Sequence, residues 1–267
     1  MATSITEGPV LLDVTAGIAH LRLNRPEASN GVDADSLRAL HAAILLCHAD
    51  PAVRVVVLSG EGRNFCAGGD VKTFASKGEA LPDYLREATA WLQLATSALV
   101  QLKAPVIVAV QGFAAGGAGF GFVCAADLVI ATESSKFFSG AVRVGMAPDG
   151  GTTVTLTQIV GLRKAMELLL LNPTLTAGEA HDLGIVTQVV PDDELTERTL
   201  EVARTLAAQP PLAVAATKRL VWGGVGATLE ERMPEEARTV SELSGTVDSR
   251  EGLAAVIERR AGTFVGA

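Results

Sequence analysis

Two glycine-rich segments constrain this chain most: Phe65-Cys66-Ala67-Gly68-Gly69-Asp70 and Gly112-Phe113-Ala114-Ala115-Gly116-Gly117-Ala118-Gly119. Each follows an apolar, strand-like run, Val53 to Leu58 for the first and Val106 to Val110 for the second. Both loops therefore begin at the carboxyl ends of buried strands, where α/β folds bind their ligands. Small or absent side chains leave backbone N–H groups open to an incoming ligand. Two such groups from separate loops can converge on one oxygen as an oxyanion hole.

The remaining composition narrows the partners. With 267 residues, 48% hydrophobic but only 4% aromatic, the chain has enough aliphatic material for one well-buried core. A net charge of -8, with no Lys/Arg stripe interleaved with aromatics, argues against nucleic acid, so an anionic ligand must be held locally. Cys47, Cys66 and Cys124 are odd in number and form no CxxC pair, which suggests neither a disulfide framework nor a zinc site and fits a reducing cytoplasm. His20, His41, His48 and His181 are scattered without an HExxH pair, so no metal is expected. No signal peptide or membrane-spanning run is visible, and a soluble protein is expected.

Along the chain, Val10–Val14 and Ile18–Leu23 read as a hairpin turned at Ala16-Gly17. Leu37, Leu40, His41, Ile44 and Leu45 have helical spacing from Asp33 to before Asp50-Pro51, and a second helix is predicted over Asp83–Leu102. The second glycine loop runs into a small-residue helix ending near Ala126, followed by strand Leu128–Ala131 and an extended piece at Lys136–Ser139. After Pro148 the chain turns largely helical. Thr176-Ala-Gly-Glu179 and Asp248-Ser-Arg-Glu251 resemble capping boxes, Pro210-Pro211 separates two helices, and Met233-Pro234 predicts a kink or break. The organisation expected is one structural domain, with a strand-strand-helix core over 1–190 and a helical C-terminal region over 191–267.

Five segments resemble the crotonase superfamily, the enoyl-CoA hydratase/isomerase family, in its own order. They are Leu23-Asn24-Arg25-Pro26-Glu27-Ala28, Asn64 to Lys72, Lys103 to Gly112, Gly145-Met146-Ala147-Pro148-Asp149-Gly150-Gly151-Thr152, and Asp248 to Gly252. The resemblance runs from about Val10 to Phe264. It implies an α/β spiral of repeated ββα units, a helical C-terminal trimerisation region giving a homotrimer or homohexamer, and an acyl-coenzyme A thioester as ligand. No separate cofactor is implied, because coenzyme A is part of the substrate.

Carried over by position, the resemblance puts one oxyanion donor at the Gly69 N–H. Counting from Gly112 puts the other at Gly117, and counting back from Asp127 puts it at Ala118, since this stretch is one residue longer than the family's. Ala28, Ala67, Gly69, Asp70, Val71 and Lys72 match the part that holds the coenzyme A nucleotide, with Lys72, and Lys218 as a second candidate, meeting phosphates. The two glutamates of the family's hydratases fall on Phe120 (or Gly121) and Ala141, neither of which moves a proton. Asp149 matches the acid of the family's Asp-dependent isomerases, and Phe120, Phe138, Val142 and Met146 are expected to raise its pKa by desolvation. The dehalogenases' nucleophilic aspartate also falls there, but its histidine and tryptophan helpers fall on Gln93 and Ala141. From the residues alone, Asp149 reads equally as the N-cap of a following helix.

The expectation is an enzyme that shifts a double bond of an enoyl-CoA, with Asp149 as base and Gly69 and Gly117 stabilising the enolate. Phe120 and Ala141 would line the substrate. Hydration is the second reading and a non-catalytic acyl-CoA binder the third.

Overall fold

The computed structural model describes residues 4–267. Strands β1 (Val10–Thr15) and β2 (Ile18–Leu23) form the expected hairpin, paired from Val10↔Leu23 to Thr15↔Ile18. Ala16 and Gly17 both take positive φ, the backbone of a tight two-residue turn whose twist suits antiparallel strands. Helix α1 (Ala34–Ala49) starts at a capping box in which Asp33 and Ser36 satisfy each other's backbone N–H. Strand β3 (Val55–Gly60) begins two residues later than its apolar run, because the Val53 N–H turns back to the Asp50 carbonyl and pairing with β2 opens at Ile18↔Val55.

The chain continues through α2 (Val71–Ser76) and α3 (Leu81–Gln101), which starts earlier than predicted with Pro82 in its first turn. Strand β4 (Val106–Val110), the short β5 (Phe113–Ala115), α4 (Gly116–Ala125), β6 (Leu128–Thr132) and β7 (Lys136–Phe138) follow. Next come α5 (Thr152–Val160), α6 (Leu162–Leu170), β8 (Leu175–Thr176), α7 (Ala177–Asp182) and β9 (Gln188–Val190). The main sheet has the order β1-β2-β3-β4-β6-β9, parallel beyond the hairpin, and β5-β7-β8 make a smaller second sheet.

Strand residues alternate between two apolar layers, as the two-residue period of a strand requires. Val56, Leu58, Val106, Val108 and Val110 join the larger core with α1 and α3 residues such as Leu40, Ile44, Leu92 and Leu99. Val55, Val57, Ile107 and Ile130 face the other way, onto α8 (Leu195–Ala207) through Ala203, Val202 and Leu206. A sheet covered on both faces needs near-continuous apolar strands, which explains the uninterrupted runs before the glycine loops.

After Val190 only helices follow: α8, then α9 (Pro211–Gly224), α10 (Leu229–Ser244) and α11 (Val247–Glu258). Three expectations for this region are corrected. Helix α10 runs unbroken through Pro234. Asp248 is no capping residue: Thr246 caps α11, while the buried Asp248 carboxylate accepts from the Val265 and Gly266 N–H groups and ties down the C-terminal tail. Lys218 is not a phosphate ligand. Its ammonium is buried, paired with Asp127 at 2.7 Å, and donates to the Leu99 and Ala104 carbonyls.

Asp127 also accepts from the Val106 N–H and from Trp222 Nε1, so one carboxylate joins β4 to two residues of α9. Replacing one partner of a buried pair leaves the other charge uncompensated. Lys218→Met should therefore destabilise the fold by about 3 kcal/mol, measured by urea unfolding.

Candidate functional site

The first glycine loop is held by backbone bonds to two other segments. Cys66 N–H donates to the Phe113 carbonyl, Ala115 N–H to the Cys66 carbonyl, and Ala67 N–H to the Ser29 carbonyl. The Cys66 thiol is buried and pushed up to about 12 by desolvation, so it packs rather than reacts. Beyond it, Val32 N–H donates to the Gly68 carbonyl and Asp70 N–H to the Val32 carbonyl, 2.8 Å each. Gly69 sits between these two bonds, and its own N–H has no partner among the described residues. The Phe74 ring closes over Gly69, occupying the place of any β-carbon there.

Asp70 caps α2: its Oδ1 accepts from the Lys72 and Thr73 N–H groups at 3.1 Å, and its Oδ2 pairs with Arg25 at 3.0 Å. Burial pushes this carboxyl up, but the bonds from Thr73 and Arg25 outweigh it and hold the group below the usual carboxylate range. Ala67, Val71 and Lys72 are exposed along this edge, with Ala28 half-buried in the neighbouring loop. Of the positions matched to a nucleotide, Ala67, Val71 and Lys72 are thus the exposed ones, while the Asp70 side chain turns inward to Arg25, and the Lys72 ammonium has no partner among the described residues.

The second loop enters α4 with Gly116 at φ +66, a conformation that favours glycine. A β-carbon on Gly116 would lie 2.9 Å from the Gly68 Cα and 3.6 Å from the Gly69 nitrogen, so the two loops run side by side. The first N–H groups of a helix lack intrahelical acceptors. Of the two residues left open by the count, Gly117 is half-exposed and Ala118 is buried.

The Asp149 turn packs against the same end of α4. A β-carbon on Gly117 would fall on the Asp149 carboxylate, and one on Gly121, a turn further along, would lie 3.1 Å from the Gly150 carbonyl. Phe120, by contrast, points into the core, 1% exposed, so the residue of the pair that meets this turn is Gly121. Ala141, half-buried, opens the short helical turn Ala141–Val144. Arg143 pins that turn by lying over the Phe138 ring at 5.1 Å and donating to the Asn172 carbonyl at 2.5 Å.

The Asp149 side chain caps nothing. Gly151 is the N-cap of α5, and it is the Asp149 carbonyl that accepts from Thr152. Asp149 is an exposed residue, yet enough protein surrounds its carboxyl group that desolvation raises its pKa, opposed only by a hydrogen bond from its own backbone N–H. No group of three or more His, Cys, Asp or Glu side chains among the described residues could hold a metal. A cleft of about 790 Å³ between α5 and α9 contains Asp127 and Lys218, which satisfy each other there.

Comparison with known proteins places this architecture. The family model for enoyl-CoA hydratase/isomerase matches residues 13–267. The chain belongs to this family, within the crotonase superfamily. It is 36% identical to a protein of Rhodobacter capsulatus named as a probable enoyl-CoA hydratase, over 95% of this chain and 96% of that one. It is 34% identical to the 1,2-epoxyphenylacetyl-CoA isomerase of Escherichia coli, over 96% and 98%. Among solved structures, an enoyl-CoA hydratase of Bacillus anthracis superposes with a TM-score of 0.92 at 29% identity, covering 97% of this chain and 100% of that one.

Two residues of the site escaped the reading of the sequence: Phe74 had no signal there, and Arg25 stood in a motif without a role, while Gly121 entered only through an ambiguous count.

A carboxylate with a raised pKa binds more protons in the folded chain, so its contribution is most favourable below the ordinary carboxylate pKa and is lost as pH rises through the raised value. Asp149→Asn should therefore melt higher than the parent protein at neutral pH. The gap should close as pH falls toward about 4, followed by thermal scans across a pH series.

Proposed function

We propose that this protein isomerises an enoyl-CoA by moving one proton along its acyl chain. The observation that carries the reading is the Asp149 carboxylate seated on Gly117, beside the open Gly69 amide. In this reading the thioester oxygen accepts from the Gly69 and Gly117 N–H groups; Gly117 is preferred to Ala118 because it is the accessible one. Asp149 takes a proton from C2 of a 3-enoyl-CoA, and the bonding pair moves into an enolate conjugated with the double bond. The protonated Asp149 then delivers that proton to C4, leaving the double bond at C2–C3. Desolvation suits Asp149 to both halves by raising its pKa, which makes the carboxylate a stronger base. Ala28 and the 67–72 edge would hold the nucleotide end of coenzyme A, with Lys72 supplying positive charge to a phosphate. The isomerase relative in Escherichia coli supports this class of reaction.

Hydration is the second reading, favoured by the hydratase names of several relatives. Adding water requires a positioned nucleophile as well as proton transfer. Phe120, Gly121 and Ala141 offer no carboxylate for that purpose, so Asp149 would have to serve alone. Assembly and location belong to the same proposal. Val221, Leu253, Val256 and Ile257 are 67%, 64%, 78% and 80% exposed in the single chain, which suits a homotrimer or a pair of trimers. Three buried free cysteines suit the cytoplasm.

Asp149→Asn keeps the side chain's size and removes its basicity. It should lower isomerisation of a 3-enoyl-CoA by roughly two to four powers of ten while leaving acyl-CoA affinity nearly unchanged. Full activity in the variant, or hydration of crotonyl-CoA by the parent as fast as any isomerisation, would sink the assignment. Light scattering at micromolar concentration should give the mass of three or six chains, and a monomer would remove the assembly from the proposal.

A further inference from the structure

We propose that Arg25 is the positioning residue that aims the Gly69 N–H. The inference deepens the oxyanion reading above and rests on it. Arg25 Nη1 donates to the Gly31 carbonyl at 2.5 Å and pairs with the Asp33 carboxylate at 3.0 Å, gripping the residues on both sides of Val32. Its Nη2 pairs with Asp70, the residue after Gly69. Val32 in turn accepts from the Asp70 N–H and donates to the Gly68 carbonyl, the two peptide groups flanking Gly69.

This pattern has a directional consequence. In a parallel bridge of this kind, the N–H and carbonyl of the bridged residue point away from the partner strand. With Gly68 and Asp70 both bonded to Val32, the Gly69 N–H must face the opposite side, toward the end of α4. The guanidinium holds the two sides of this bridge together. Its own backbone is fixed as well: Arg25 N–H donates to Asn30 Oδ1 and Asn30 N–H to the Arg25 carbonyl, 2.8 Å each. Asn30 is buried and donates onward to the Glu61 and Asn64 carbonyls.

A phosphate-binding role for Arg25 fits these contacts poorly. One guanidinium meets two carboxylates, so the cluster carries net negative charge and repels an anion. The Arg25 and Asp70 side chains are 21% and 12% exposed, turned inward rather than toward the exposed edge at Lys72. The exposed ammonium of Lys72 answers that need instead.

The test reads the donor directly. A saturated acyl-CoA labelled with 13C at the thioester carbonyl is bound to the intact protein, and the carbonyl stretch is followed by difference infrared spectroscopy. The parent should shift the band to lower frequency. Arg25→Met should lose most of that shift and lower kcat about 10-fold to 100-fold, the scale of a reacting group displaced by about an ångström. Acyl-CoA affinity should stay within about threefold of the parent, and Arg25→Lys should recover part of the shift. Asp70→Asn, which can still cap α2 through its amide oxygen, should show the same loss and serves if Arg25→Met does not fold. A parent-like shift and kcat in folded Arg25→Met or Asp70→Asn overturns the proposal alone. Weakened affinity with kcat unchanged also overturns it, making Arg25 a binding residue. No shift in the parent overturns the oxyanion reading itself, and this proposal with it.

Discussion

Helix α4 touches its neighbours through the side chains it lacks. Gly119 lies against the Cys66 carbonyl, Gly121 against the Gly150 carbonyl and Gly117 against the Asp149 carboxylate. Two segments far apart in sequence, the Cys66 loop and the Asp149-Gly150 turn, can therefore approach one short helix at close range. A methyl group at any of these positions would have to displace a main chain or a carboxylate, and a close-packed interior absorbs such displacements poorly. The close approach also sets the electrostatics. Asp149 rests on the second residue of α4, where the positive end of the helix favours its anion. Desolvation works against that and prevails, leaving the pKa above the usual carboxylate value.

The Gly69 amide depends on a different arrangement, in which charge organises backbone. Asp33 caps α1 and Asp70 caps α2, and Arg25 pairs with both. The Tyr84 hydroxyl accepts from the Ala34 N–H and its ring meets Phe74 edge-on, so α3 reaches back to the same corner. The loop that contains Gly69 is thereby held from three directions. At the other end of the molecule, Asp127 does a similar service by joining β4 to Lys218 and Trp222 of α9. A buried polar node thus attaches α9 to the core, and the tail that Asp248 ties to α11 is joined to the core by Arg54, which donates to the Phe264 carbonyl.

Much of this was legible in the chain, because the signals were local. Strand runs, the hairpin turn at Ala16-Gly17, the Thr176–Glu179 capping box and the two glycine loops each depend on neighbours within a few residues. Asp248 and Lys218 were misread for the converse reason. Asp-x-x-Glu is a local pattern, yet Asp248 bonds to Val265 and Gly266, and Lys218 to carbonyls of Leu99 and Ala104 more than a hundred residues away. Pro234 was expected to kink or break α10, and the helix runs through it without a break. In the same way Phe120 and Gly121 are adjacent in sequence, but only packing decides which faces the core and which faces Asp149.

The sequence by itself determined the two-sided apolar strands, the small-residue loops at their ends and the single acid in the Pro148-Asp149-Gly150 turn. These follow from residue type and short-range periodicity, which the chain states outright. Tertiary structure alone decided that Asp149 stands on Gly117 rather than capping α5, that Gly117 and not Ala118 is accessible, and that Arg25 faces two carboxylates. Those outcomes depend on the relative placement of segments brought together by the core, and no local propensity encodes which carboxylate will meet which backbone across that distance.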